Sequence, residues 1–205
     1  MKFPVPRLFA FALALLVAST TAFAKPSVGK PAPAFTGTDS NGAQHSLAQY
    51  RGQFVVLEWT NDGCPYVGKH YGTGNMQGLQ KEYSEQGVVW LSIISSAPGR
   101  QGYADGERAN QLTRDRDAAP SAVLLDPDGS VGRLYAAKTT PHMFIVDPEG
   151  TLVYMGGIDS IPSARWADVE KADNYVRTAL EEAMSGKPVT EAVTRPYGCS
   201  VKYGS

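Results

Sequence analysis

Runs of apolar residues separated by polar turns divide this chain into strands and helices. Continuous apolar stretches of strand length occur at QFVVLEWT, VVWLSIIS and AVLLD, and such stretches are typical of strands buried on both faces. A helical pattern extends from Pro65 to about Gln86, with a kink or break predicted at Gly72-Thr73-Gly74. A second helix, with an acidic start, is predicted from Asp105 to Asp115.

The C-terminal part of the chain shows a hairpin followed by a helix. HMFIVD and TLVYMGG flank Pro148-Glu149-Gly150 and predict an antiparallel hairpin. Arg165 to Ser185 predicts one long amphipathic helix, which ends at Gly186. An earlier hairpin is indicated by Asn41-Gly42. The order β-α-β-α-β-β-α predicts an α/β fold, a mixed central sheet with helices on both faces.

The N-terminal residues have the pattern of a secretory signal peptide rather than of the fold. MKFPVPR carries two positive charges, LFAFALALLVA is apolar, and Ala22-Phe23-Ala24 is a small-x-small cleavage site. The apolar run is shorter than the ~20 residues of a membrane-spanning helix, so we expect no stable membrane anchor after cleavage. The predicted organisation is a signal peptide over 1–24, one domain over 25–185 and a C-terminal tail over 186–205.

Charge and cysteine content narrow the possible functions. The formal net charge is -1 and no basic block occurs, which argues against nucleic acid as a partner. The chain has two cysteines, Cys64 and Cys199. In an exported compartment, which we expect to be the bacterial periplasm, an even count permits a disulfide without establishing one.

Cys64 is the main candidate for chemistry. It stands where a strand gives way to a helix, with Pro65 at the first helical position. Unpaired N–H groups and the positive end of the helix dipole would then face the sulfur. Such a site lowers a thiol pKa from ~8.5 into a range of about 3.5–7.5. The sequence therefore predicts a reachable thiolate here; the alternative is a buried, inert cysteine.

The order of elements, the motif EWTNDGCP and the later Thr140-Pro141-His142-Met143-Phe144 resemble the thioredoxin-like fold. More closely, the chain is similar to the exported peroxiredoxin-like branch, the redoxins of the alkyl hydroperoxide reductase/thiol-specific antioxidant family. The resemblance extends from Val28 to the YGCSVKY tail. It implies cysteine-based redox chemistry without an organic cofactor.

Two active-site patterns exist within this resemblance. Peroxidatic members carry P-x-x-x-[ST]-x-x-C and a distant arginine, but here Leu57, Asn61 and Pro141 occupy those three positions. Thiol–disulfide exchangers place a buried carboxylate six residues before the cysteine, where this chain has Glu58. They also place a cis-proline before a late strand, and Pro141 fits that position.

These matches favour disulfide exchange over peroxide reduction. The resemblance implies that Glu58 exchanges protons with the reacting thiols and that Pro141 shapes the substrate groove. The alternatives are a surface charge at a strand end and a plain loop proline. Asn61, Thr140 and His142 are predicted to contact the substrate.

The second cysteine of an exchanger's C-x-x-C motif is missing, because Val67 stands in its place. The remaining candidate for a resolving thiol is Cys199, in a tail that we expect to be flexible enough to reach the site. Three alternatives stay open: a cycling Cys64–Cys199 pair, a permanent structural bridge, and two independent thiols.

The predicted function is thus that of an exported thiol-dependent oxidoreductase. Its partners would be an external thiol donor and a disulfide substrate, and no metal or cofactor is required. One alternative is reduction of hydroperoxides through a sulfenic acid on Cys64. Another is a non-enzymatic thiol or copper-binding module, for which Cys64, His70 and His142 are the candidate ligands.

Overall fold

The structure is a computed structural model that describes residues 25–204. The predicted signal peptide lies outside the described residues. Within 25–204, no helix is long and apolar enough to cross a membrane. The described part of the chain has nine strands: β1 Thr36–Asp39, β2 Gln44–Ser46, β3 Val55–Trp59, β4 Val89–Ile94, β5 Ala122–Leu125, β6 Thr139–Thr140, β7 His142–Val146, β8 Leu152–Gly156 and β9 Cys199–Ser200. Five α-helices accompany them: α1 Pro65–Gly72, α2 Asn75–Glu85, α3 Gly106–Asp115, α4 Ser130–Leu134 and α5 Tyr175–Met184.

Seven strands form one mixed sheet in the order β2-β1-β5-β4-β3-β7-β8. The central strands β3, β4 and β5 run parallel, whereas β7 is antiparallel to β3. Every residue of β3, β4 and β7 is buried, which agrees with their apolar sequences. The two remaining strands, β6 and β9, form a separate antiparallel pair. The predicted α/β, thioredoxin-like architecture is confirmed.

The two faces of the large sheet carry separate cores. One contains Trp59, Tyr135 and Phe144, whose rings meet at centroid distances of 5.2–5.5 Å. The other contains Cys64 and Met143, together with α1, α2 and α5. Because side chains alternate across a strand, neighbours in β7 such as Met143 and Phe144 belong to different cores.

The predicted hairpins at Asn41-Gly42 and Pro148-Glu149-Gly150 are confirmed, as is the break after Gly72 between α1 and α2. The single long helix predicted over 165–185 is wrong. A 3₁₀ helix, Trp166–Lys171, is followed by extended Ala172 and then by α5. The side chain of Asn174 accepts a hydrogen bond from the Arg177 N–H at 3.0 Å and so starts a new helix.

The C-terminal tail is docked on the rest of the domain at several points between residues 192 and 203, which corrects the expectation that it is flexible. Its strand β9 pairs with β6, and the N–H of Val201 donates to the Lys138 carbonyl at 3.0 Å. Further on, the Tyr203 hydroxyl donates to the Ala137 carbonyl at 2.9 Å. The tail is therefore part of the folded domain.

Candidate functional site

Cys64 occupies the N-cap position of α1, with Pro65 at the start of the helix as predicted. The turn before it is built by Asn61, whose side-chain oxygen accepts from the Gly63 N–H at 2.9 Å. The carbonyl of Asn61 also accepts from the Cys64 N–H at 3.2 Å. The amide nitrogen of Asn61 donates to the Gln101 carbonyl at 3.2 Å. In this structure, then, Asn61 holds the loop that presents the cysteine.

The Cys64 sulfur lies against the loop that contains Pro141. The thiol donates a hydrogen bond to the Thr140 carbonyl oxygen at 3.1 Å. The Thr140–Pro141 peptide bond is cis, as the resemblance implied. The Thr140 hydroxyl is buried and has no hydrogen-bond partner while the thiol is protonated. It is therefore available to donate to a thiolate at Cys64.

Cys199 is brought to the same loop by strand pairing. In the β6–β9 register it stands opposite Thr140, the residue whose carbonyl receives the Cys64 thiol. Its side chain packs against the same apolar cluster as Cys64, and hydrogen bonding between the two thiols shifts the pKa of both. Both cysteines are free thiols in this structure. Two thiols 135 positions apart in the sequence, here called the dithiol, are thus brought to the same loop.

The two thiols differ in acidity. Burial raises the pKa of Cys64, but hydrogen bonds to its sulfur outweigh burial and leave that pKa below the ordinary value. The strongest of these comes from the Cys199 side chain, followed by Thr140 and by backbone N–H groups of Val67 and Cys199. Burial and donation to Cys64 raise the pKa of Cys199 to about 11. Cys64 is therefore the thiol that ionises first.

The expectation that Cys64 is reachable from solvent is wrong for this conformation. The residue is only 1% exposed, whereas Cys199 is half-buried. The tail contributes to the burial of Cys64, because Cys199 and Tyr197 pack in the same cluster as Cys64. A cleft of about 470 Å³ is bordered by Thr139 and Gly198, the residues that precede Thr140 and Cys199 in the chain.

Glu58 is fully buried on β3, as predicted, and its carboxylate is surrounded by donors. It accepts hydrogen bonds from four side chains at 2.8–3.1 Å: Tyr71, Gln80, Trp90 and Ser92. Such saturation explains how a charge is tolerated in this core. None of its hydrogen bonds within residues 25–204 goes to Cys64.

The histidines are not brought to the sulfur. His142 shares the sheet face of Phe144, at a ring distance of 4.4 Å, and this is the face opposite Cys64. Its Nδ1 accepts from the Lys138 N–H at 3.3 Å. His70 contacts Tyr197 and Asn75 instead. The predicted contact between His142 and a substrate at Cys64 is therefore not supported by the geometry.

The candidate copper ligands are consequently separated. Across residues 25–204, no three His, Cys, Asp or Glu side chains are grouped closely enough to hold a metal ion.

Sequence reasoning missed a buried polar cluster beside the dithiol. It consists of Lys69, His70, Asp159 and Tyr197 and joins α1 to the tail. A lysine or an aspartate on its own has no sequence signal for complete burial, because such residues are mostly exposed. The only indication was the nearness of Tyr197 to Cys199 in the chain.

The sequence is similar to that of a curated oxidoreductase. A curated protein, thiol-disulfide oxidoreductase ResA from Geobacillus kaustophilus (strain HTA426), is 26% identical over 124 residues. The match covers 60% of this chain and 66% of the length of that relative.

Two solved structures share the fold over most of the chain. One, a hypothetical protein from Sinorhizobium meliloti 1021, has a TM-score of 0.74 at 23% identity and covers 89% of this chain and 97% of its own. The other, an uncharacterized conserved protein from Geobacillus kaustophilus, has a TM-score of 0.73 at 25% identity, with coverages of 87% and 93%.

The family model of the AhpC/TSA family matches residues 28–155. That match includes Cys64, Glu58 and Pro141 but ends before the tail, so it is shorter than the resemblance drawn from the sequence. It spans more than half of the chain, and this chain therefore belongs to the AhpC/TSA family.

Proposed function

We propose that this chain is a thiol–disulfide oxidoreductase in which Cys64 attacks as the thiolate and Cys199 resolves the mixed disulfide. The observation that carries the proposal is the pairing of β9 with β6, in which Cys199 stands opposite Thr140, the residue whose carbonyl accepts from the Cys64 thiol. The opposite pKa directions of the two thiols support the assignment, because the more acidic thiol is the better populated nucleophile. The similarity to ResA supports the same reaction class.

The reaction is a two-electron exchange between thiols and a disulfide. The Cys64 thiolate attacks one sulfur of the substrate disulfide, forms a mixed disulfide and releases the first substrate thiolate, which takes up a proton. Cys199 loses its proton and attacks the Cys64 sulfur, which releases the second substrate thiol. The substrate disulfide is reduced to two thiols, and the chain is oxidised to a Cys64–Cys199 disulfide. An external dithiol donor reduces that bond again.

Substrate access requires movement of the Cys199 segment, because Cys64 is covered in the reduced form described above. When β9 leaves β6, the edge at Thr139 and Thr140 becomes available to an extended substrate segment. Pro141 fixes the shape of this edge. The substrates that fit such an edge are disulfides of extended polypeptides.

The proton role predicted for Glu58 and the export of the chain belong to this proposal as well. Glu58 has no hydrogen bond to either thiol, so any proton exchange would pass through an intermediate group.

Export is supported by the signal-peptide pattern of residues 1–24. A mature protein that begins at Lys25 by intact-mass measurement would establish it; a chain that retains residue 1 would argue against it.

Mixing the reduced protein with either oxidised glutathione or hydrogen peroxide tests the reaction class. We expect oxidised glutathione to convert the wild type to the Cys64–Cys199 disulfide, detected by intact mass after acid quenching. Cys199→Ser should stop at a glutathione adduct on Cys64, and Cys64→Ser should form no internal bond. Rapid, saturating oxidation of Cys64 by peroxide, with slow reaction with disulfides, would instead establish a peroxidase.

A further inference from the structure

Lys69 is completely buried on α1, the helix that starts immediately after Cys64. All three hydrogens of its ammonium group have acceptors: Asp159 Oδ2 at 3.0 Å, the Tyr197 hydroxyl at 3.1 Å and the Ile161 carbonyl at 3.3 Å. A buried ammonium is tolerated only when it is paired and hydrogen-bonded in this way.

The Tyr197 hydroxyl is saturated by the same cluster. It donates to Asp159 Oδ1 and accepts from Lys69. Its second lone pair faces His70 Nε2 at 3.3 Å. Asn75 donates to Nδ1 of His70 at 2.9 Å, which leaves Nε2 as the protonated nitrogen that donates to Tyr197. Removal of Tyr197 would leave polar groups of three buried side chains short of a partner.

The ring of Tyr197 is held as firmly as its hydroxyl. It packs edge-on against Tyr66 on α1, with ring centroids 5.8 Å apart. The Lys69 ammonium lies 5.2 Å from the centroid of the same ring. Every one of these contacts joins the tail to α1 or to the loop of Asp159.

Two residues of this cluster lie close in the chain to the two cysteines. Tyr197 stands two residues before Cys199, and Lys69 stands five residues after Cys64. The segments that bear the two cysteines are therefore fastened together by a cluster that contains neither sulfur. The intramolecular concentration of one thiol at the other depends on how firmly such a segment is held.

We propose that Lys69, Asp159 and Tyr197 are positioning residues that hold the Cys199 segment on Cys64, and so set both the stability of their disulfide and the access of reagents to Cys64. The inference rests on the proposed function for the disulfide equilibrium, whereas access to Cys64 is independent of it. If the segment left its place, Lys69 and Asp159 would lose the tyrosine hydroxyl as a hydrogen-bond partner. The free-energy cost of leaving these buried groups unpaired keeps the segment docked.

Tyr197→Phe tests the proposal, because it keeps the ring contacts and removes only the hydroxyl. The first measurement is the rate at which iodoacetamide alkylates Cys64 in the reduced protein, in a Cys199→Ser background. The second is the equilibrium constant of the Cys64–Cys199 disulfide against glutathione, with Cys199 intact. Tyr83→Phe is the matched control, since Tyr83 is also buried and donates its hydrogen bond to the Arg177 carbonyl at 3.3 Å, on α5 and not on the tail.

We expect Tyr197→Phe to raise the alkylation rate and to lower the disulfide equilibrium constant, each by about tenfold, which corresponds to ~1.4 kcal/mol. Tyr83→Phe should change neither beyond about twofold. The double variant Lys69→Met with Asp159→Asn removes both charges together and should show the same two effects. It replaces Tyr197→Phe as the test if Tyr197→Phe folds poorly. Alkylation rates and equilibrium constants that stay at the wild-type values in both would overturn the proposal.

The two measurements separate failure of this inference from failure of the proposed function. If the wild type forms no internal disulfide with glutathione, the proposed function fails, and the alkylation rates still decide whether the cluster holds the tail. If the disulfide forms and neither variant alters it, the function stands and the positioning role is lost.

Discussion

At the scale of single residues, the acidity of Cys64 depends on its neighbours as much as on its place at a helix start. Burial raises the pKa of Cys64. Hydrogen-bond donors on the tail and on the Pro141 loop contribute to a larger opposite effect, so the net pKa is lowered. The sequence predicted the helix start, because Cys64-Pro65 is a local signal, whereas only the family resemblance implied the cis form of Pro141. It did not predict the donors on the tail, since nothing in the residues around Cys64 indicates which distant segment will cover it.

Replacement of Cys199 should weaken the acidity of Cys64. Cys199→Ala removes the strongest donor to the sulfur, so we expect the pKa of Cys64 to rise, because a hydrogen bond that stabilises the thiolate is lost. The midpoint of the pH–rate profile for alkylation of the Cys64 peptide, followed by mass spectrometry, measures it. Cys199→Ser retains a hydroxyl donor and is the control, with a midpoint near that of the wild type. A midpoint that is the same in the alanine and serine variants would contradict the role given to the donor.

Glu58→Gln should destabilise the protein by about 2 kcal/mol, because an amide cannot accept from all the donors that a carboxylate satisfies. Chemical denaturation followed by tryptophan fluorescence measures this loss. The rate of disulfide exchange at fixed pH tests the predicted proton role separately. A variant that is less stable but exchanges at the wild-type rate would show that Glu58 acts only within its hydrogen-bond network.

At the scale of elements, the two-residue strand β9 sets the position of Cys199 relative to Thr140. Its position depends on Gly198, which adopts a φ of +134° and passes directly over the Thr140 carbonyl. A Cβ at this residue would lie 2.1 Å from that oxygen, the same oxygen that receives the Cys64 thiol. Strands this short have no recognisable pattern in the sequence, whereas β3, β4 and β7 were predictable from their apolar runs.

Gly198→Ala should therefore displace β9 and separate the thiols. We expect alkylation of Cys64 to become about tenfold faster and closure of the internal disulfide to become slower by a similar factor, as ~1.4 kcal/mol of lost docking would produce. Gly186→Ala is the matched control, because Gly186 also has a positive φ, +74°, but no atom lies within 4 Å of its added Cβ. Equal effects of the two substitutions would mean that backbone strain, and not contact with Thr140, is responsible.

At the scale of the whole molecule, two buried histidines make stability depend on pH. Burial, with the Lys69 charge, lowers the pKa of His70 to about 4, and burial with Lys138 lowers that of His142 to about 3. In the unfolded chain both would titrate near 6.5. Between these values the unfolded state binds more protons than the folded state, so stability is full above pH ~6.5 and falls as the pH decreases.

Lowering the pH from 7 to 5 should reduce the free energy of unfolding by up to about 4 kcal/mol, or ~2 kcal/mol from each histidine. Urea denaturation at the two pH values measures the change. His142→Gln cannot take up a proton, so it should retain about half of the pH dependence. A pH dependence that is the same in the variant and the wild type would contradict the burial of a neutral imidazole at His142.

The sequence by itself determined most of the elements of this protein and the place of Cys64 at the start of a helix. Apolar runs, turn residues and Cys64 before Pro65 act over a few neighbouring residues, so they can be recognised without knowledge of the fold. The tertiary structure alone decided that Cys199 meets Cys64 and that Lys69 is buried. Lys69 bonds to Asp159 and Tyr197 across 90 and 128 residues of chain, and such contacts exist only once packing has brought distant segments together. A lysine costs too much to bury alone, and only the fold supplies the partners that make its burial favourable.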